Sequence, residues 1–576
     1  MKAVRSGVLG ACVLIVNLCG VEIARAQNPK CFGHRATIVA RPADKVTHGT
    51  AGNDVIVGSD SYDKIRAGEG RDLICGLDEI DFIYGERGFD KINGGFGTDR
   101  SFGNGGQDRL FSGGEEFTYR LSNDVLYGGD GDDVLVGDVG LQTIYGEAGD
   151  DRLVGRGAFF DDCDCDASYF FEYLVGGVGN DVLQGGASRG EFSDGEIFRP
   201  GPGNDVVRGD ERRQDEPHIR DTVDYSMADV AVTVDLETGA ATGQGRDVLE
   251  DMQNIVGTRF GDVLRGDERD NFIQTSDHPD ALRVGDRVVA REGDDRVWAD
   301  EGNHRIFAGM GEDFVSGDEG HEIVKGGSGN DGLFTSEGRD KLFGGRGDDA
   351  LSGGEHHDVV AGGGGSDEAS ADFNIAVEVD LATQTWHADT DDDLSSIENV
   401  AGSNRNDTIG GSDGANRLEG SGGRDMILAE DGDDLIVPGT GNDDVEGGNG
   451  SDTVAFVISF APVDVDLAVD TATTGDETDH IGTIENVYGT NRDDVIRGDD
   501  GPNRLFGWSL FTTPSTEYSG NDELMGRDGN DYLDGGHYLK GTIHTDQDML
   551  DGGFGIDTCL NGEVIVSCEA LSEPSR

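Results

Sequence analysis

A chain of 576 residues with a formal net charge of −71, 95 glycines and only 35% hydrophobic residues has little material for a conventional packed core, and its self-repulsion opposes compaction unless something neutralises it. The same charge argues against nucleic acid and anionic membranes as partners, because both select basic surfaces. What remains is disorder or a fold that depends on cations, and periodicity decides between them.

Residues 1–26 read as a secretory signal peptide: Lys2 and Arg5 give a positive start, Val8 to Leu18 an apolar stretch, and Ala24-Arg25-Ala26 a cleavage site. The mature chain is therefore expected to be secreted and extracellular, beginning near Gln27. Leu9-Gly10-Ala11-Cys12 superficially resembles a lipoprotein box, but too little apolar sequence precedes Cys12. No later stretch is long and apolar enough to span a bilayer, so no membrane insertion is expected. The cysteines left are Cys31, Cys75, Cys163, Cys165, Cys559 and Cys568, an even set that in an exported chain points to disulfides. Connectivity cannot be deduced from sequence. Cys31 with Cys75 and Cys559 with Cys568 are the expected staples at the two ends. Cys163-Asp164-Cys165 offers too few ligands for zinc, leaving a strained local bridge or two free thiols.

After a cap over 27–48, aspartates recur every nine residues in the segment 49–220, first as Asp54, Asp63, Asp72, Asp81, Asp90, Asp99 and Asp108. Shorter pieces carry Asp124, Asp133, Asp151, Asp181 and Asp205. The segment 274–367 repeats the pattern through Asp286, Asp295, His304, Asp313, Glu322, Asp331, Asp340, Asp349, Asp358 and Asp367. The segment 419–452 holds Asp425, Asp434, Asp443 and Asp452, and 506–576 holds Asp522, Asp531, Asp548 and Asp557 before the cysteine cap. Two residues after most of these positions stands an aliphatic or aromatic residue, such as Ile56, Ile65 and Ile74. Glycines fall five, four and two residues before them. Gly128-Gly129-Asp130-Gly131-Asp132-Asp133-Val134-Leu135-Val136 shows the whole unit.

This unit resembles the RTX, or haemolysin-type, calcium-binding nonapeptide G-G-x-G-x-D-x-U-x, a parallel β-helix repeat. The resemblance covers most of the mature chain and implies an all-β fold, a parallel β-roll with interspersed hairpin-like insertions. Three residues around the apolar position form a strand, and the glycine-rich portion turns the chain. Two units make a coil of 18 residues, and coils stack about 4.8 Å apart, as strands do in any sheet. Stacking sets Asp331 beside Asp349. Such carboxylates with turn carbonyls make a hard oxygen cage, which suits Ca2+ better than magnesium. The family implies ions between adjacent turns, ligated by the sixth-position aspartate and by loop carbonyls. All the sixth-position aspartates named above except Asp286 are the expected ligands, and those with all three glycines, including Asp99, Asp133, Asp331, Asp349 and Asp557, are the best placed. His304, Gln142, Asn271, Asn416 and Asn503 hold the same place without a carboxylate, as weak or empty positions that preserve the coil.

Three longer segments, 221–273, 368–418 and 453–505, share another pattern. Each carries an alternating stretch (Val232 to Leu236, Val377 to Leu381, Val463 to Leu467), then Asn254, Asn399 or Asn486, then Asp262, Asp407 or Asp494. The alternation reads as a half-buried strand, and each unit as a hairpin-like insertion after which the repeat resumes; a binding surface is the other reading.

No interruption is long enough for a catalytic domain. His321-Glu322 lacks the second histidine of a zinc protease motif, and Gly410-Gly411-Ser412-Asp413-Gly414 lacks the strand–turn–helix context of a nucleophile elbow. The expectation is a secreted protein, not an enzyme, that folds on extracellular Ca2+ and serves a structural or adhesive role towards a cell-surface or matrix polysaccharide or protein. The alternatives are a polysaccharide-active enzyme on a β-helix and a calcium buffer or mineral-nucleating protein.

Overall fold

A three-residue strand that buries one aliphatic side chain is stable only with other strands above and below it, so nonapeptides of this kind must stack. In a computed structural model they form two long sheets, almost entirely parallel, that face each other across a thin core. The structure describes residues 29–41, 45–113, 123–137, 142–155, 172–186, 195–209, 221–276, 284–371, 374–388, 391–457, 461–510, 520–536, 548–561, 564–568 and 570–571. The expected signal peptide and the Cys163-Asp164-Cys165 insertion lie outside the described residues.

In one sheet Val55–Val57, Leu73–Asp78, Lys91–Phe96 and Arg109–Phe111 pair in order, aligning Ile56, Ile74, Ile92 and Leu110. In the other, Lys64–Gly70, Phe82–Gly88, Arg100–Gly106 and Val125–Asp130 align Ile65, Ile83, Ser101 and Leu126. Insertions between coils leave this register unchanged: Ser101 meets Leu126 as Ile83 meets Ser101. The core is thus two columns, continuing through Leu135, Leu153 and Leu183 on one side and Ile144, Leu174 and Phe198 on the other, all 0% exposed. Outside the second sheet Tyr84, Phe102, Tyr127 and Tyr145 stack face to face with centroids 4.7, 4.7 and 4.8 Å apart, matching the strand spacing. Each core side chain packs against the coils on both sides, so Leu135→Ala is expected to lower stability by about 2–5 kcal/mol. Denaturant unfolding in calcium measures this; a loss under about 1 kcal/mol would contradict a packed column.

The ends are stapled. Lys30–Cys31 and His34–Arg35 form an antiparallel pair at the start, and Cys31 is bonded to Cys75 with Cα atoms 5.7 Å apart. Cys559 and Cys568 form the second disulfide, with Cα atoms 6.2 Å apart.

Each of the three longer segments splices an antiparallel meander into the first sheet. In the first, Thr233–Asp235, Ala240–Thr242 and Arg246–Glu250 run down, up and down. The third of these strands pairs in parallel with Val206–Arg208 of the preceding coil, and the first with Val263–Arg265 of the following one. Glu378–Asp380, Thr385–His387 and Asp391–Ser395 repeat this arrangement, as do Val463–Asp466, Thr471–Thr474 and Glu477–Gly482. The alternating stretches are therefore strands, and each returns twice before the coil resumes. Larger side chains fill the space beneath, including Tyr225, Met252, Trp386, Ile397, Phe456 and Ile484.

Candidate metal centre

The turns place every sixth-position residue inside the roll. From Asp54 to Asp205 the carboxylates of one column form a ladder: the Asp54 N–H donates to Asp72 Oδ1 at 2.7 Å, and the step repeats through Asp90, Asp108, Asp133, Asp151, Asp181 and Asp205 at 2.7–2.9 Å. The second column runs from Asp63 through Asp81 and Asp99 to Asp124. Further along, Asp295, Asp313, Asp331, Asp349 and Asp367 continue it, then Asp434 and Asp452, then Asp531 and Asp557. On the first column Asp340 and Asp358, Asp425 and Asp443, and Asp522 and Asp548 are joined in the same way. All are buried.

Beyond the leading Asp54 and Asp63, one oxygen of each carboxylate is occupied by this ladder; the other separates two kinds of rung. At Asp72, Asp81, Asp90, Asp99, Asp108, Asp133, Asp151, Asp181 and Asp205, the buried Oδ2 accepts no hydrogen bond. The same holds at Asp295, Asp313, Asp331, Asp349, Asp367, Asp425, Asp434, Asp443, Asp452, Asp522 and Asp531. Buried carboxylate oxygens are normally paired, so so regular an exception implies a missing cationic partner. The turn supplies a matching oxygen. A methyl group on Gly103 would lie 2.5 Å from both Asp108 Oδ2 and the Gly128 carbonyl oxygen, and one on Gly128 would lie 2.6 Å from both Asp133 Oδ2 and the Gly146 oxygen. Carboxylate and next-coil carbonyl thus converge on space that only glycine leaves open. A set of hard oxygens with no nitrogen or sulfur fits calcium.

The second kind of rung is closed from within. Thr50 donates its N–H and its hydroxyl to Asp54 Oδ2 at 2.7 and 2.8 Å, and Ser59 does the same for Asp63 at 2.6 and 3.0 Å. Thr258, Ser403 and Thr490 close Asp262, Asp407 and Asp494, the first rung of the first column after each meander. In every case a serine or threonine replaces the glycine four residues before the aspartate. The exchange alone does not close a rung: Ser421 stands four residues before Asp425, but with φ +68° it donates its hydroxyl to the Gly402 carbonyl oxygen and leaves Asp425 Oδ2 open.

Sequence periodicity also misses rungs displaced by insertions. Asp247, Gln253, Asp392, Glu398, Asp479 and Glu485 each accept a backbone N–H from the preceding rung, and Tyr225 donates its hydroxyl to Asp247 Oδ2 at 2.8 Å. Gln253, Glu398 and Glu485 stand nine residues before Asp262, Asp407 and Asp494 but are not aspartates, and Asp479 falls back into the register of Asp443 beyond a meander; Asp247 and Asp392 stand outside the register of the rungs around them.

Burial sets the electrostatics. Removal from water pushes the Asp81, Asp133, Asp205, Asp295 and Asp425 carboxyl groups up to about 8, against a partial offset from the backbone N–H each accepts, and neighbouring rungs push further the same way. Asp99, Asp331 and Asp349 are raised to about 6, again chiefly by burial. Without a counter-ion the columns therefore hold protons near neutral pH.

A parallel β-roll lined by two columns of half-satisfied carboxylates defines a class of cation-binding solenoid. The family described as RTX calcium-binding nonapeptide repeat matches residues 48–83, 76–110, 121–140, 143–157, 166–189, 284–315, 305–333, 316–351, 334–369, 401–436, 429–454, 488–509 and 518–537. Together these matches span more than half of the chain, and the protein belongs to that family: its repeats bind calcium. No curated protein matches the chain. Among the described residues, no helix is long and apolar enough to cross a membrane.

Proposed function

We propose that this is a secreted protein that folds when it meets extracellular calcium and then serves a structural or adhesive role, without catalysis. The observation that carries the reading is the run of buried Oδ2 atoms without a hydrogen-bond partner, repeated coil after coil opposite turn carbonyls. The ligands are the aspartates of the open rungs, together with Asp124, Asp358, Asp548 and Asp557, whose carboxylates stand in the same columns. Asp54 and Asp63, closed by hydroxyl groups, act as rungs that need no ion. Export fits the leader-like sequence over 1–26. In a low-calcium cytosol the polyacidic chain stays expanded and fit for translocation. Outside, at ten times the dissociation constant each ion adds roughly 1.4 kcal/mol. About ten such ions supply some 14 kcal/mol, comparable to the net stability of a whole domain. The folded roll then presents long polar faces to a surface or matrix polysaccharide or protein.

Circular dichroism during a calcium titration tests this. The β signal is expected to be nearly absent in chelator and to rise cooperatively towards millimolar calcium. Equal β content in both conditions would refute calcium-driven folding.

A further inference from the structure

The open rungs offer oxygen alone, with one exception. His304 occupies a rung between Asp286 and Glu322 and is 0% exposed. Its Nδ1 accepts the Asp286 N–H at 3.1 Å and lies 3.2 Å from Asp286 Oδ2. Its Nε2 lies 2.9 Å from the Asp300 carbonyl oxygen and 3.5 Å from Asp300 Oδ1. One ligand atom from each of Asp286, Asp300 and His304 can be chosen so that all lie within 4.8 Å of one another. A second, independent feature stands one coil away. Glu322 is fully buried, with its carboxylate against the His304 backbone N–H and the Asp340 carboxyl group. Gly302 and Gly320 bridge the same two coils. A methyl group on Gly302 would meet His304 Nε2 at 2.5 Å, and one on Gly320 would run into Glu322 Oε1 and the Gly302 oxygen. The imidazole and the Glu322 carboxylate therefore face successive steps of one glycine column.

We propose that Asp286, Asp300 and His304, with Glu322 beside them, form a site for a first-row divalent transition metal such as zinc, distinct in chemistry from the calcium rungs. Calcium selects oxygen, whereas imidazole suits zinc, cobalt or nickel. Zinc bonds of about 2.1 Å in a tetrahedron put ligand atoms roughly 3.4 Å apart, close to the 3.2 Å between His304 Nδ1 and Asp286 Oδ2. The Asp300 carbonyl holds the ring by its Nε2–H, the outer contact that orients a metal-binding histidine; the ion takes the Nδ1 lone pair from the Asp286 N–H. The rival account is a histidine that merely completes the ladder through its two hydrogen bonds.

Cobalt(II), a coloured stand-in for zinc, separates the two when added to the full chain in saturating calcium. The expected result is one Co2+ retained per chain against excess calcium, with visible bands of a nitrogen-ligated ion. His304→Asn installs the residue that Asn271, Asn416 and Asn503 already use as rungs. It should keep the calcium-dependent dichroism and weaken Co2+ binding at least tenfold, as even outer-sphere losses do at metal sites. Should that variant fail to fold, Asp300→Asn at the rim is expected to weaken binding similarly. A wild-type chain that retains no Co2+ over calcium, or a folded variant that retains it equally well, would overturn the site. Either result leaves the calcium titration untouched, so failure here and failure of calcium-driven folding are told apart.

Discussion

Stripped of calcium at pH 8 the chain is expected to lose its β structure, and acidifying the same sample towards pH 5 to restore much of it. The rung carboxyl groups are raised in the folded chain, to about 8 at Asp81, Asp133, Asp205, Asp295 and Asp425 and to about 6 at Asp99, Asp331 and Asp349, from an ordinary 3.8. The folded state then binds more protons than the unfolded one, so stability rises as pH falls. This contribution is absent above about pH 8, grows as pH drops through 8 and then 6, and is complete below the unfolded value near 4. Calcium reverses the sign, because the ion needs the ionised carboxylates that protons remove. Thermal melts followed by dichroism should therefore cross: stability falls from pH 8 to pH 5 in calcium and rises over the same range in chelator. Parallel slopes would mean that the columns are not where protons and calcium compete.

Two adjacent glycines should respond in opposite ways. Gly106 has φ +143°, and a Cβ there would collide with the Gly88 carbonyl oxygen of the coil before. Gly88 cannot step aside, since it pairs directly with Gly106 within the sheet. Gly106→Ala therefore combines a backbone conformation that disfavours side chains with a backbone clash, and is expected to cost about 3–5 kcal/mol. Gly105 has ordinary φ, and the only atom near its would-be Cβ is the Glu86 oxygen at 3.8 Å. Gly105→Ala should be neutral or stabilising by about 0.5–1 kcal/mol through the unfolded chain. Urea unfolding in calcium compares the pair; similar losses at both would show that the stacking of the turns is misassigned.

Much of this was legible because one period fixes several things together. A residue such as Ile74 marks a strand, a core position and a coil, while Asp72 marks the turn two residues earlier. The parallel stacking and most of the rungs follow from that register, as does the Cys559–Cys568 staple one repeat apart. What the register could not carry were contacts that depart from it. Ala240–Thr242 pairs antiparallel on both sides, yet nothing in its short, mostly exposed sequence sets its direction. Asp247 and Asp392 enter the ladders only because the meanders return the chain to the column at a different spacing. The closed rungs were not legible either. Thr50, Ser59, Thr258, Ser403 and Thr490 stand four residues before their aspartates, but so does Ser421 before the open Asp425, and only the backbone conformation decides whether the hydroxyl turns to the carboxylate.

The most direct test is a crystal structure grown in calcium, with the ions located by anomalous scattering. Ions are expected between successive turns, about 2.3–2.6 Å from Oδ2 of open rungs such as Asp331 and Asp349, and none at Asp262, Asp407 or Asp494. Ions confined to exposed acidic side chains such as Asp132 and Asp150, with the buried Oδ2 atoms still bare, would contradict calcium as the ion that joins the coils.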